Sequence, residues 1–87
     1  ALPIYCSLQN MNFGKADLIG ARFRNCTLKT CDFRGAILRQ TIFEDCKWDQ
    51  CDFQGADLTE CIFFEDDIPF LHLDADQLQV ILIDRRA

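Results

Sequence analysis

Every fifth residue from position 8 to position 63 is large and apolar: Leu8, Phe13, Leu18, Phe23, Leu28, Phe33, Leu38, Phe43, Trp48, Phe53, Leu58 and Phe63. The register never slips. Two places before each stands Cys6, Met11, Ala16, Ala21, Cys26, Cys31, Ala36, Thr41, Cys46, Cys51, Ala56 or Cys61, all small apart from Met11. A period of five fits neither the 3.6 of an amphipathic helix nor the 2.0 of a strand. A repeat of this kind is the mark of a solenoid, in which each unit packs only on its neighbours.

A longer period lies over the short one. Leu and Phe alternate, and the small column returns every 20 residues, as in Cys26-Thr-Leu-Lys-Thr-Cys-Asp-Phe-Arg-Gly and Cys46-Lys-Trp-Asp-Gln-Cys-Asp-Phe-Gln-Gly. Four sides of five residues make one coil, and coils stack at the strand spacing of about 4.8 Å. The twelve units give three coils. Leu8, Leu28 and Trp48 then share one inner face, and Phe13, Phe33 and Phe53 the next. Leu18, Leu38 and Leu58 line the third, and Phe23, Phe43 and Phe63 the fourth. Burial of each is worth roughly 1.5–3 kcal/mol, so the ladders replace a conventional core. Gly35 and Gly55 fall one coil apart at a corner, where backbone freedom is useful.

The units Ala16-Asp17-Leu18-Ile19-Gly20, Ala56-Asp57-Leu58-Thr59-Glu60 and Cys51-Asp52-Phe53-Gln54-Gly55 resemble the pentapeptide-repeat family, whose pattern is Ala-(Asp/Asn)-Leu-X-X around a central Leu or Phe. The resemblance covers about two-thirds of the chain. It implies an all-β solenoid, a right-handed quadrilateral β-helix, and says little about function, because the fold carries many roles.

Three segments are expected: a lead-in over 1–5, the β-helix over 6–65, and a C-terminal cap over 66–87. Continuing the register would put the Asp66 carboxylate in the core, which is costly, and Pro69 cannot donate to a ladder. Asp74-Ala75-Asp76-Gln77 reads as a capping box opening a helix over 75–85, with Leu78, Ile81 and Leu82 laid across the last coil and Leu73 at its entry. A final strand is the alternative. Val80 and Ile83 lie off the stripe and make a candidate C-terminal interface. The lead-in is too short to cap the first coil, and without an initiator Met the chain reads as a domain of a larger protein.

The net charge of −5 conceals a gradient. Residues 1–43 carry six bases and two acids, +4; residues 44–87 carry twelve acids and three bases, −9. Such a chain is a poor direct binder of nucleic acid, which needs clustered bases. No apolar run is long enough to span a membrane, and no signal peptide is visible. All six cysteines fall in the inward small column, so they are expected as reduced, buried thiols rather than disulfides or zinc ligands. His72, the only histidine, has no evident nucleophile partner, and no phosphate-cradling glycine loop occurs. No catalytic residue, metal or cofactor is expected; the chain is not read as an enzyme.

Outward positions carry the functional signal. Ile37, Ile42, Ile62 and Phe64 are expected on one edge of the stack, with Ile19 also outward. Gathered apolar residues of this kind mark interaction sites, unless the C-terminal segment, with Phe70 and Leu71, folds back over them. The acidic run Glu60, Glu65, Asp66 and Asp67 is expected as a solvated end or a dock for a basic surface. The leading expectation is a non-catalytic protein-interaction or scaffold module of a bacterial protein, cytoplasmic in the bacterium or in its host, with a homodimer through the C-terminal segment. The alternative comes from the resemblance: Qnr-like members mimic duplex DNA in shape and charge and act on DNA gyrase.

Overall fold

The structure is a computed structural model that describes residues 3–4 and 7–85, with the side chains of 3–4 left aside. The chain winds as a four-sided coil. One side is a five-stranded parallel sheet in the order β1-β3-β5-β7-β8, from β1 (Pro3–Ile4), β3 (Arg22–Arg24), β5 (Ile42–Glu44), β7 (Ile62–Phe64) and β8 (Leu82–Asp84). The next is a three-stranded parallel sheet of β2 (Ser7–Gln9), β4 (Thr27–Lys29) and β6 (Lys47–Asp49). The remaining two sides are held by single bridges, Asn12–Asp32–Asp52 and Asp17–Ile37–Asp57. These pairs lie 20 residues apart in sequence, as the repeat requires.

Inside, the rings stack face to face at the coil spacing. Phe23–Phe43–Phe63 have centroids 4.8 and 5.2 Å apart, and Phe13–Phe33–Phe53 are 5.0 and 4.9 Å apart. The two columns meet edge to face, as at Phe33–Phe43, 6.2 Å and 86°. Eight of the twelve central residues are buried; Leu8, Phe13 and Leu18 of the first coil and Trp48 are partly exposed.

The small column does more than make room. The Cys46 thiol donates to Phe23 O (3.3 Å), the Cys51 thiol to Leu28 O (3.3 Å), and the Thr41 hydroxyl to Leu18 O (2.8 Å). Each donor reaches a carbonyl 23 residues earlier, on the coil beneath. A Cys or Thr therefore fills the corner and satisfies a buried acceptor together. On the bridged sides, Asp17, Asp32, Asp52 and Asp57 accept from the backbone N–H two residues on. That local turn bond explains Asp in the second place of those units.

The corners are uniform. Every fifth residue from Asn10 to Glu60 has a positive φ between 53° and 74°, although only Gly20, Gly35 and Gly55 are glycine. Position 65 breaks the series. There the chain enters a 3-10 helix over Glu65–Phe70, with Pro69 inside it and Asp66 exposed to solvent.

The cap differs from the expectation. Helix α1 covers Ala75–Val80 rather than 75–85, and β8 follows at once. Two causes act together. Val80-Ile81-Leu82-Ile83 is a β-favouring run, and the edge of β7 offers a parallel ladder, which Leu82 N–H joins by donating to Cys61 O (2.8 Å). The buried stripe also differs: Leu78 and Leu82 are exposed, while Gln77 and Ile81 are buried and Leu73 packs against the core. The helix is rotated so that Gln77 Nε2 donates to Phe53 O (2.8 Å) and Ala56 O (3.2 Å), carbonyls that no further coil covers. The capping box between Asp74 and Gln77 is present.

Residues 65–79 thus replace three sides of a fourth coil with equal length, and the chain returns in register. Ile62 pairs with Leu82, Phe63 with Ile83 and Phe64 with Asp84.

Candidate docking face

Parallel pairing fixes what the five-stranded side shows to solvent. Side chains on either side of each central residue point outward. One column reads Arg22, Ile42, Ile62, Leu82 and the other Arg24, Glu44, Phe64, Asp84. Ile42 and Ile62 are partly exposed and Leu82 is 48% exposed, so an apolar strip climbs the first column. Below it, Glu44 bridges both arginines, at 3.3 Å to Arg22 and 3.4 Å to Arg24. The face is cationic at its foot, apolar in the middle and acidic at its head.

Not all expected residues gather here. Phe64 belongs to the face but is only 9% exposed, because the chain turns back beside it into the 3-10 helix. Ile37 is exposed on the neighbouring bridged side, between the Asp17 and Asp57 rungs, and so stands apart from Ile42. Leu82 joins the strip instead. A strand after α1 was needed to see it, and the β-favouring run 80–83 was the available signal.

Val80 and Ile83 are 40% and 41% exposed at the C-terminal end of the coil. Ile83 continues the Phe43–Phe63 column and, among the described residues, has nothing stacked above it. Phe70 (62% exposed) lies free of the core, and Leu71 is buried. The open end is therefore apolar.

Beside the face lies a hollow of about 260 Å³ whose lining includes Asp45, Glu65, Asp66, Asp67 and Asp84. Glu65 is paired with Arg85 at 2.8 Å. Burial, reinforced by Asp66 and Asp45, raises the Asp67 carboxyl above the usual range. Among the described residues no group of three His, Cys, Asp or Glu side chains is placed to hold a metal ion. Cys26, Cys31, Cys46, Cys51 and Cys61 are buried and form no disulfide among the described residues, and Cys6 lies outside them. Burial pushes the Cys46 thiol up to about 12, and raises Cys51 and Cys61 too. High thiol pKa values make inert groups, since the thiolate is the nucleophile. His72 is exposed, with φ 54°. Among the described residues, no helix is long and apolar enough to cross a membrane.

The model of the pentapeptide repeat region matches residues 4–73. The chain belongs to the pentapeptide-repeat family. Among solved structures it is similar to QnrB1, a plasmid-mediated fluoroquinolone resistance protein. That match has 29% identity and a TM-score of 0.63, and covers 70% of this chain and 32% of QnrB1. The chain thus spans about a third of the length of that relative. No curated protein matches the sequence. Pentapeptide-repeat membership accounts for the stacked ladders and the Asp turns, and leaves the outward residues to be read on their own chemistry.

Proposed function

We propose that this pentapeptide-repeat domain is a non-catalytic protein-interaction module that docks through the outer face of its five-stranded side and the adjoining C-terminal end. The observation that carries the reading is the Ile42–Ile62–Leu82 strip. Three apolar residues stacked at strand spacing on a solvent-facing sheet are costly to leave wet. Val80 and Ile83 extend the apolar surface around the rim. The raised thiols of Cys46, Cys51 and Cys61 fit binding rather than catalysis, in the cytoplasm of a bacterium or of its host. Immobilised protein should retain a specific partner from a bacterial lysate, and Ile62→Asp should release it while Arg34→Ala, on another side, should not. Equal retention by both variants would remove the face from the interaction.

A second reading is favoured by the likeness to QnrB1: action on DNA gyrase, in the manner expected from the resemblance to Qnr-like proteins. The acids of the upper coils and cap support it, and the bases of the first two coils do not. A gyrase supercoiling assay with and without a fluoroquinolone separates the readings, since an interaction module for another partner leaves supercoiling unchanged.

A further inference from the structure

We infer that the five-stranded side pairs with the same side of a second copy, in one antiparallel arrangement. The inference rests on the docking reading above and names its partner. Its basis is self-complementarity across four rungs: Arg22 with Arg24, Ile42 with Glu44, Ile62 with Phe64, and Leu82 with Asp84.

Two identical faces can meet about a two-fold axis lying in the interface. An axis along the coil stack would set Arg22 against Arg24 of the other copy, like charge on like charge. An axis along the strands reverses the order of the rungs while keeping each column on itself. Arg24 then meets Asp84 of the other copy, Ile42 meets Ile62, Glu44 faces the largely covered Phe64, and the aliphatic stem of Arg22 covers Leu82. Each of these contacts occurs twice. Glu44 remains on the two arginines of its own chain, and the planar guanidinium fork of Arg24 can hold a second carboxylate without leaving the first.

The side is at most three residues wide and five strands tall, roughly 10 × 20 Å at strand spacing, so it offers well under the roughly 800 Å² per partner of a standard interface. Arg24 and Asp84 sit at the two ends of their column, with the apolar strip in the column beside them. An interface of that size and composition is weak and reversible, and its register is set by charge.

The test is sedimentation of the chain from about 10 µM to about 1 mM, a range that brackets weak association. The wild type should dimerise. Ile62→Asp should weaken the dimer about tenfold or more by burying a carboxylate against Ile42, and Arg24→Asp alone and Asp84→Arg alone should do the same because like charges then oppose in both copies. An equimolar mixture of Arg24→Asp and Asp84→Arg should recover wild-type affinity, because both cross-pairs of the mixed dimer again join opposite charges, one in the native polarity and one reversed. Val80→Asp, at the end of the coil, should change nothing. Thermal melts establish that each variant is folded. A chain monomeric at the highest concentration overturns the pairing and leaves the docking reading to its own retention assay. A dimer lost in Val80→Asp but kept in Ile62→Asp, or a mixture that fails to recover, overturns it as well.

Discussion

The side-chain amide of Gln77 donates to the carbonyl of Ala56 at 3.2 Å, in the place where one more coil would put a backbone N–H. The lower coils show what is being replaced: Ile37 N–H donates to Ala16 O and Asp57 N–H to Ala36 O, each 21 residues apart. The next donor in that series would be the backbone of residue 77 itself. Its side chain takes the bond instead, and a second to Phe53 O, while its own N–H is bound by the Asp74 carboxylate. Any parallel stack leaves a rim of unmet acceptors at its end, and here one glutamine closes part of it.

Gln77→Leu should therefore destabilise the fold although it adds apolar area to a buried site. The Ala56 carbonyl loses the side-chain donor, at about 1–3 kcal/mol for a buried unsatisfied group, while the Phe53 carbonyl keeps the turn bond from Ala56 N–H. Gln77→Glu should be at least as harmful, since it sets a carboxylate against those carbonyls. Urea unfolding of the three proteins at one pH compares them directly; a Leu variant as stable as wild type would show that water meets the rim equally well.

Phe33 lies between Phe13 and Phe53 in one column and touches Phe43 edge-on. Phe33→Ala should cost about 3–5 kcal/mol, because stacked rings above and below cannot collapse into the space. The next residue, Arg34, is exposed, and its guanidinium is bonded to Asp32. Arg34→Ala should leave the unfolding midpoint within experimental scatter. Similar melting of the two variants would contradict the inward and outward assignment.

Much of this fold was legible because the period of five names its own inward positions: Phe33, Phe43 and Phe63 could be placed in columns from spacing alone. The corners were legible only in part. Gly35 and Gly55 announce a left-handed backbone, whereas Lys15, Thr30, Gln40, Gln50 and Glu60 adopt the same φ with no side-chain reason to do so. Stacking imposes it on them. Gln77 was illegible for a related cause. Its burial answers the carbonyls of Phe53 and Ala56, which are remote in sequence, while local periodicity pointed to Leu78. Of the expected docking edge, Ile42 and Ile62 could be read as neighbours from their 20-residue spacing. The covering of Phe64 depends on the path of the chain after the break.

Thr30 makes the corner cost measurable. It is β-branched and holds φ 53°, which is unfavourable for an L-residue by about 1–2 kcal/mol. Thr30→Gly should raise stability by about 1 kcal/mol, the gain being reduced by the greater freedom of glycine in the unfolded chain. Gly35→Ala, at φ 70°, should lose about 1 kcal/mol. Opposite signs at two equivalent corners are the expected result, and thermal melts of both variants test it.

The buried thiols should make the fold sensitive to alkali. Burial raises Cys46, Cys51 and Cys61 in the folded state, while the same thiols in the unfolded chain ionise near pH 8.5. Unfolding then releases protons, so their stabilising effect is complete below that pH and fades as pH rises towards the folded-state values. With a discount because Cys46 and Cys51 lie close to the surface of the core, the loss should be on the order of 1 kcal/mol per pH unit above pH 9. Cys61→Ala should flatten the slope. Denatured protein should titrate six thiols, and native protein should react slowly.

Asp67 should give the opposite dependence. Its carboxyl is raised first by burial, then by the neighbouring Asp66 and Asp45, and the indole N–H of Trp48 offsets only part of this. The Asp67 Oδ2 and Trp48 Nε1 atoms are both buried without a hydrogen bond of good geometry. A carboxyl with a raised folded-state pKa disfavours folding while it is ionised, and the penalty is relieved as pH falls through that value. Asp67→Asn keeps the shape and removes the charge. It should stabilise the protein at pH 7 by up to about 1 kcal/mol, with the group's partial exposure holding the gain down. The gain should shrink as the pH falls through the raised folded-state value, where the wild-type carboxyl takes up its proton. Asp66→Asn, at an exposed position, removes only the repulsion and should gain less. Melting the three proteins at pH 7 and again near pH 4 decides the matter: an Asn advantage that persists at low pH would mean that packing, rather than charge, is at fault beneath Trp48.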